Sequence, residues 1–242
     1  MRRWRQSKHM TPLKAGIHTR ENTSVTAAVE RRLLVWIAER LPASVSSDHL
    51  SAVGLAAMSI AAVSFAAMGR WPAAAIGVVF ALLANWFGDS LDGTVARARG
   101  HQRPRYGYYV DHVIDVAGTA MLIVGMACSG LINPLIALAV LTAYLMVCAE
   151  SYLAVHASGR FRMSFLWFGP TELRIVLAAG ALKAAHDPMV SLGGSVSMML
   201  FDLGGMVATA GLVIAFLVSA AGNVRTLYRE EPIPGGRETR AA

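Results

Sequence analysis

Asp89, Asp92, Asp111 and Asp115 stand close together in otherwise membrane-grade sequence, in the stretch DSLDGTVARARGHQRPRYGYYVDHVID. A carboxylate near hydrocarbon is costly, and four that converge would repel one another and leave some protonated. One or two divalent cations remove both difficulties. Hard oxygen donors of this kind suit Mg²⁺ or Mn²⁺, so chemistry on a bound cation is the expectation. Small residues accompany the acids: Gly93, Ala96 and Gly107 let a flat or bulky ligand approach a helix surface closely. Arg97 lies one residue past Ala96, where it could reach a phosphate, and Arg99, Arg103 and Arg105 make the following loop cationic. Cations, arginines and a groove lined by small residues are what phosphoryl transfer from a nucleotide-linked donor needs.

The elements that must position these residues are helices in a bilayer. Of the 242 residues 55% are hydrophobic and 15% charged, and mean hydropathy is +0.48. Apolar runs long enough to span recur throughout, leaving no room for a separate soluble domain of ordinary size. The reading is an all-α, polytopic membrane protein with six transmembrane helices, near 50–68, 72–92, 108–129, 131–154, 170–186 and 201–222. The fifth is the shortest, ended by His186-Asp187-Pro188, and residues 188–200 read as a Gly/Ser/Met-rich external loop.

The net charge of +7 does not point to nucleic acid, because of where the charges lie. All but Arg70 and Lys183 of the 22 Lys and Arg residues fall in segments that an even number of spans would place on one side. The positive-inside rule makes that side the cytoplasm, with both termini and the aspartate loop; the expected location is the cell's inner (plasma) membrane. Residues 1–23 read as a disordered basic tail without the apolar core of a signal peptide, and 229–242 as a second tail. Between them, 24–228 read as one membrane domain. It opens with an amphipathic helix at about 24–41, in which Val25, Val29, Leu33, Ile37 and Leu41 form a stripe and Trp36 marks the interface.

On helices, Asp89, Asp92 and Ala96 share one face at the end of the second span, and Asp111 and Asp115 share one at the start of the third. A loop of about 15 residues would let the two helices pack antiparallel, so that both pairs meet just inside the cytoplasmic boundary. The remaining polar residues read more plainly. Glu150 faces the bundle, either lining the site or in a structural hydrogen bond. Glu172 pairs with Arg174 or a loop arginine, His112 is a helix contact, His156 lies at the interface, and Asp202 is an N-cap. Cys128 and Cys148, in apolar runs without ligand spacing, are packing residues.

Asp89, Asp92, Gly93, Ala96 and Arg97, then a nine-residue spacer from Ala98 to Tyr106, then Gly107, Asp111 and Asp115 match DxxDGxxAR…GxxxDxxxD at every fixed position. The chain thereby resembles the CDP-alcohol phosphotransferases, over about residues 25–225, and the Asp48-His49-Leu50-Ser51 segment looks similar too. The spacer is one residue longer than the commonest form, which an inter-helix loop tolerates. The resemblance implies that Asp89, Asp92 and Asp111 hold a dinuclear metal site on the donor's pyrophosphate. It makes Asp115 the general base and a further metal ligand, gives Gly93 and Ala96 to the cytidine, and puts Arg97 on the nucleotide or its phosphates. An acceptor hydroxyl would attack the β-phosphorus and release CMP. A homodimer is implied as well.

Donor and acceptor are harder to read. CDP-diacylglycerol could give a phosphatidyl group to a small polar alcohol, or a CDP-linked amino alcohol could give its head group to diacylglycerol. FGPTELR, Phe168 to Arg174, looks somewhat like the amino-alcohol branch. Compactness, with Arg160, Arg162 and Arg174 as a cationic pocket for an anionic acceptor, favours the phosphatidyl direction. A small ion or proton-coupled transporter is the non-enzymatic alternative. It accounts for the acids but not for Gly, Ala and Arg at fixed offsets. A catalytically silent family member would not need the intact carboxylates.

Overall fold

The computed structural model describes residues 27–158, 169–192 and 197–231. Seven helices follow one another: α1 Ala27–Arg40, α2 Ser47–Met68, α3 Ala74–Ala98, α4 Pro104–Cys128, α5 Pro134–Ser158, α6 Pro170–His186 and α7 Leu200–Glu230. Their ends are set locally. Ser46 caps α2 by accepting from the His49 N–H while its own N–H donates to His49 Nδ1, each at 3.2 Å. Proline opens α4, α5 and α6, where its missing N–H would be unpaired anyway. Gly100 and Gly130 follow the ends of α3 and α4 at φ +68° and +73°, left-handed conformations that glycine adopts without penalty.

Among the described residues six helices, α2 to α7, stand near the six apolar runs. Among the described residues five, α2, α3, α4, α5 and α7, are long and apolar enough to cross a bilayer. The expected fifth span, α6, has 17 residues. At 1.5 Å per residue that is about 26 Å, short of a hydrocarbon core of roughly 30 Å. Four boundaries differ from expectation by four residues or more, one of them the end of α5 at Ser158 instead of 154. Helix α3 continues to Ala98 and α4 begins at Pro104, so the connection expected to be about 15 residues is only 99–103. Polar residues on a continuing helix had read as loop. Helix α7 runs to Glu230, past the expected 222 and into the expected tail. The segment between α6 and α7 contains a short antiparallel hairpin, β1 Met189–Ser191 with β2 Ser197–Met199, in which Val190 pairs with Met198.

Helix α2 packs between α3 and α4 through small residues. A Cβ on Gly88 would lie 2.6 Å from the Leu50 carbonyl oxygen and 2.7 Å from the Gly54 nitrogen, so α2 and α3 cross with their backbones almost touching. One on Gly125 would collide with the Ala62 carbonyl, which brings α4 equally close. Phe65, Val78, Leu91 and Val95 fill the space around these crossings, and Phe65 meets Phe201 edge-on at 5.7 Å. Gly88→Val is therefore expected to lower stability by about 1–3 kcal/mol through overpacking against backbone that cannot yield. Thermal unfolding in micelles checks it, with Gly211→Val on α7, where a Cβ meets nothing within 4 Å, as the unaffected comparison.

Helix α1 lies against α3, with Leu34 and Ala38 buried beside Leu50, Leu91 and Val95. Ile37 and Leu41 of the expected stripe pack there too. Leu33 does not: it is exposed with Val35 and Trp36, because α1 has a protein-facing and an outward-facing apolar side. Val25 lies outside the described residues, as does the stretch 1–26. Arg99 ties this layer to α3, its guanidinium donating to the carbonyls of Leu41 and Pro42 at 3.0 Å and of Val45 at 2.5 Å. At the opposite end, Asp202 lies in the first turn of α7 and accepts from the Asn133 N–H at 2.6 Å. It is not the N-cap expected for its own helix, since Met199 holds that position; it fastens the start of α5 to α7 instead.

Candidate active site

The end of α3 and the first turns of α4 bring the acids together. One carboxylate oxygen each from Asp89, Asp111 and Asp115 lies within 4.8 Å of the others. Asp92 lines the same small cleft, together with Ser51, Gly54, Asn85 and Ile114, but it is turned toward α2. There its Oδ2 accepts from the Ser51 hydroxyl at 2.6 Å and its Oδ1 from the Gly93 N–H. The structure thus gathers three of the four aspartates into a tight group and seats the fourth beside them. Asp115 is the most open of the three, and the Tyr144 hydroxyl donates to its backbone carbonyl at 3.4 Å.

The small residues leave space of different kinds. The position of a Gly93 Cβ is 3.2 Å from Arg97 Nη1, so the Arg97 guanidinium lies over this glycine, with Nη2 donating to Thr94 Oγ1 at 3.1 Å. Ala96 lines a cleft of about 580 Å³ between the start of α2 and the α3–α4 connection, with Ser46, Asp48, His101 and Arg103 on its walls. A Cβ on Gly107 would meet nothing within 4 Å. Of the loop arginines, Arg99 is spent on carbonyls, while Arg103 pairs with Asp48 and stacks on Tyr106 at 4.0 Å. The hydrogen bond that Arg103 donates to Asp48 pushes its guanidinium above its ordinary pKa.

Two residues at the site, Ser51 and Asn85, carried no chemical role in the sequence, and a third, Arg174, takes a different one. Ser51 holds Asp92, and its signal was a hydroxyl one turn into an apolar run. Asn85 sits four residues before Asp89 on the same face of α3, a spacing that could have marked it. Arg174, expected beside an anionic acceptor or Glu172, donates instead to Asp89 Oδ2 at 2.5 Å and to Asn85 Oδ1 at 2.8 Å. Glu172 accepts from the Gly169 N–H at 2.9 Å, at the start of α6. Arg160 and Arg162 lie outside the described residues.

The other polar expectations resolve as packing. Glu150 accepts from Ser219 Oγ at 2.7 Å and Asn223 Nδ2 at 2.6 Å, a structural bond between α5 and α7. His112 is a helix contact, stacked on Tyr108 at 4.0 Å and edge-on to Tyr152 at 5.5 Å. Three carboxylates this close fit a divalent cation by donor type and spacing, and Asp92 lines the same cleft.

The family model described as CDP-alcohol phosphatidyltransferase matches residues 45–219, from just before α2 into α7. No curated protein matches the chain. Among solved structures it is similar to Mycobacterium tuberculosis phosphatidylinositol phosphate synthase (PgsA1) with CDP-DAG bound, at 22% identity and TM-score 0.52, covering 84% of this chain and 96% of that one. A second structure of that synthase, in complex with manganese and citrate, matches at 21% identity and TM-score 0.48, covering 87% and 91%. At these identities the likeness is one of fold.

Proposed function

The chain belongs to the CDP-alcohol phosphatidyltransferase family, and we propose that this membrane transferase moves a phosphatidyl group from CDP-diacylglycerol to a small polar alcohol, releasing CMP. The observation that carries the reading is the convergence of Asp89, Asp111 and Asp115 at the joint of α3 and α4, within a full set of signature residues. Asp89, Asp92 and Asp111, with Asp115, would hold one or two Mg²⁺ or Mn²⁺ ions, which would supply neutralisation of the negative charge on the donor's pyrophosphate and the departing CMP. Asp115, the most open of the three, takes the proton of the acceptor hydroxyl. The new bond joins the acceptor oxygen to the β-phosphorus, and the bond from that phosphorus to CMP breaks. Ala96 and Gly93 give the cytidine room beside the 580 Å³ cleft, Gly107 keeps the facing helix clear, and Arg97 swings from Thr94 to a phosphate.

CDP-diacylglycerol as donor draws support from the similarly folded mycobacterial synthase, which has CDP-DAG bound. One observation favours the reverse arrangement, a CDP-amino alcohol giving its head group to diacylglycerol. Arg174 is engaged by Asp89 and Asn85 rather than offered to an anionic acceptor. The charge distribution supports a plasma-membrane orientation with the site and both termini in the cytoplasm. We read the protein as a homodimer on the family resemblance.

Release of labelled CMP by purified protein, with Mn²⁺ or Mg²⁺ and a panel of CDP-linked donors and alcohols, tests the assignment. CMP is expected only when CDP-diacylglycerol is paired with a polar alcohol. Release from a CDP-amino alcohol with diacylglycerol would reverse the direction, and none with any pair would sink the reaction.

A further inference from the structure

Asp89 is gripped from a third helix. Arg174, in the second turn of α6, reaches α3 with a side chain 15% exposed, and its Nη2 donates to Asp89 Oδ2 at 2.5 Å. Its Nε donates to Asn85 Oδ1 at 2.8 Å, one helical turn earlier on α3. Asn85 is itself fixed, because its Nδ2 donates to the Gly54 carbonyl of α2 at 3.0 Å. The two contacts dictate the amide's orientation: Arg174 can only donate and the carbonyl can only accept. A guanidinium is a rigid planar fork, so seating its Nε on Asn85 fixes where Nη2 stands, and with it the Asp89 carboxylate. A carboxylate has two oxygens, so one can be held by the guanidinium while the other ligates a cation.

We propose that Arg174, seated on Asn85, is a positioning residue that holds Asp89 in its cation-binding orientation. The proposal rests on the reading of the aspartates as a metal site. Partners that orient a metal-binding side chain are commonly worth ten- to hundredfold in metal affinity. The effect of Arg174 is orientation and not charge alone, because a cation placed beside a cation site otherwise weakens binding. Lysine separates the two. It keeps the charge, but one ammonium group does not reproduce the fork that spans Asn85 and Asp89.

The test is Mn²⁺ affinity, measured by electron paramagnetic resonance on purified protein in micelles, with thermal unfolding in parallel. Arg174→Gln is expected to weaken Mn²⁺ binding about ten- to hundredfold. Arg174→Lys should fall within a few-fold of it, and CMP release by both should recover toward wild type at saturating Mn²⁺. Asn85→Ser should lose a similar factor, and the Arg174→Gln/Asn85→Ser double variant little more than either single one, because they act in one chain. If Arg174→Gln does not give monodisperse protein, Asn85→Ser carries the test. Mn²⁺ affinity at or above wild type in Arg174→Gln or Asn85→Ser would overturn the proposal, as would full restoration by lysine. A lowered melting temperature with unchanged affinity would make Arg174 a helix staple and overturn it equally. No Mn²⁺ binding by the wild type would instead overturn the metal site, and this proposal with it.

Discussion

Asp115→Asn lowers CMP release by about 10²- to 10⁴-fold while leaving the fold and most cation binding in place. Asparagine matches aspartate in size and keeps one oxygen for a cation, but it has no carboxylate to receive the acceptor's proton. Asp115 is the most exposed of the three gathered acids, on the open side of the cleft where a hydroxyl can approach. From α5 the Tyr144 hydroxyl reaches its backbone carbonyl. The discriminating measurement is kcat at saturating Mn²⁺. A deficit that excess Mn²⁺ erases would make Asp115 a ligand only, and activity within a few-fold of wild type would remove it from catalysis.

Withdrawal of divalent cations has the second large effect. Chelation should abolish CMP release, and Mn²⁺ or Mg²⁺ should restore it. The reason is electrostatic: oxygens within 4.8 Å of one another repel by about 3 kcal/mol per ionised pair at an effective dielectric of 20. A cation that binds the folded protein also stabilises it, by about 2.7 kcal/mol at a hundred times its dissociation constant. For a chain of this size that corresponds to a rise in Tm of about 5–10 °C. Asp111→Asn should remove most of the rise, because it takes away one of the two charges that α4 contributes to the group. An equal Mn²⁺ shift in wild type and variant would place the cation elsewhere.

Much of this arrangement was legible before any coordinates. The apolar runs placed α2 to α5 because in a bilayer length and hydropathy alone decide what spans, and the fixed offsets of the eight signature residues placed the acids. Boundaries failed where polar residues continue a helix, at Gly93–Ala98, Pro104–Gly107 and Asn223–Glu230, since polarity past the bilayer surface does not end a helix. Partnerships across helices were least legible. Nothing in its local sequence tells Arg174 to choose Asp89 over Glu172; that follows from how α6 leans on α3. Asn85 likewise reads as one polar residue in an apolar run until Gly54 and Arg174 stand on either side of it.

The 31 residues of α7 act as a ruler laid through the membrane. At 1.5 Å each they measure about 46 Å, roughly 16 Å more than the hydrocarbon core. The far end has little freedom to take up the excess, because Asp202 is tethered to the backbone ahead of α5, and Glu150 grips Ser219 and Asn223 further along. Any length that tilt does not absorb therefore emerges on the side where α3 ends and α4 begins. There the last turns carry Arg225 and Arg229, a basic stretch of helix beyond the length that the hydrocarbon core needs.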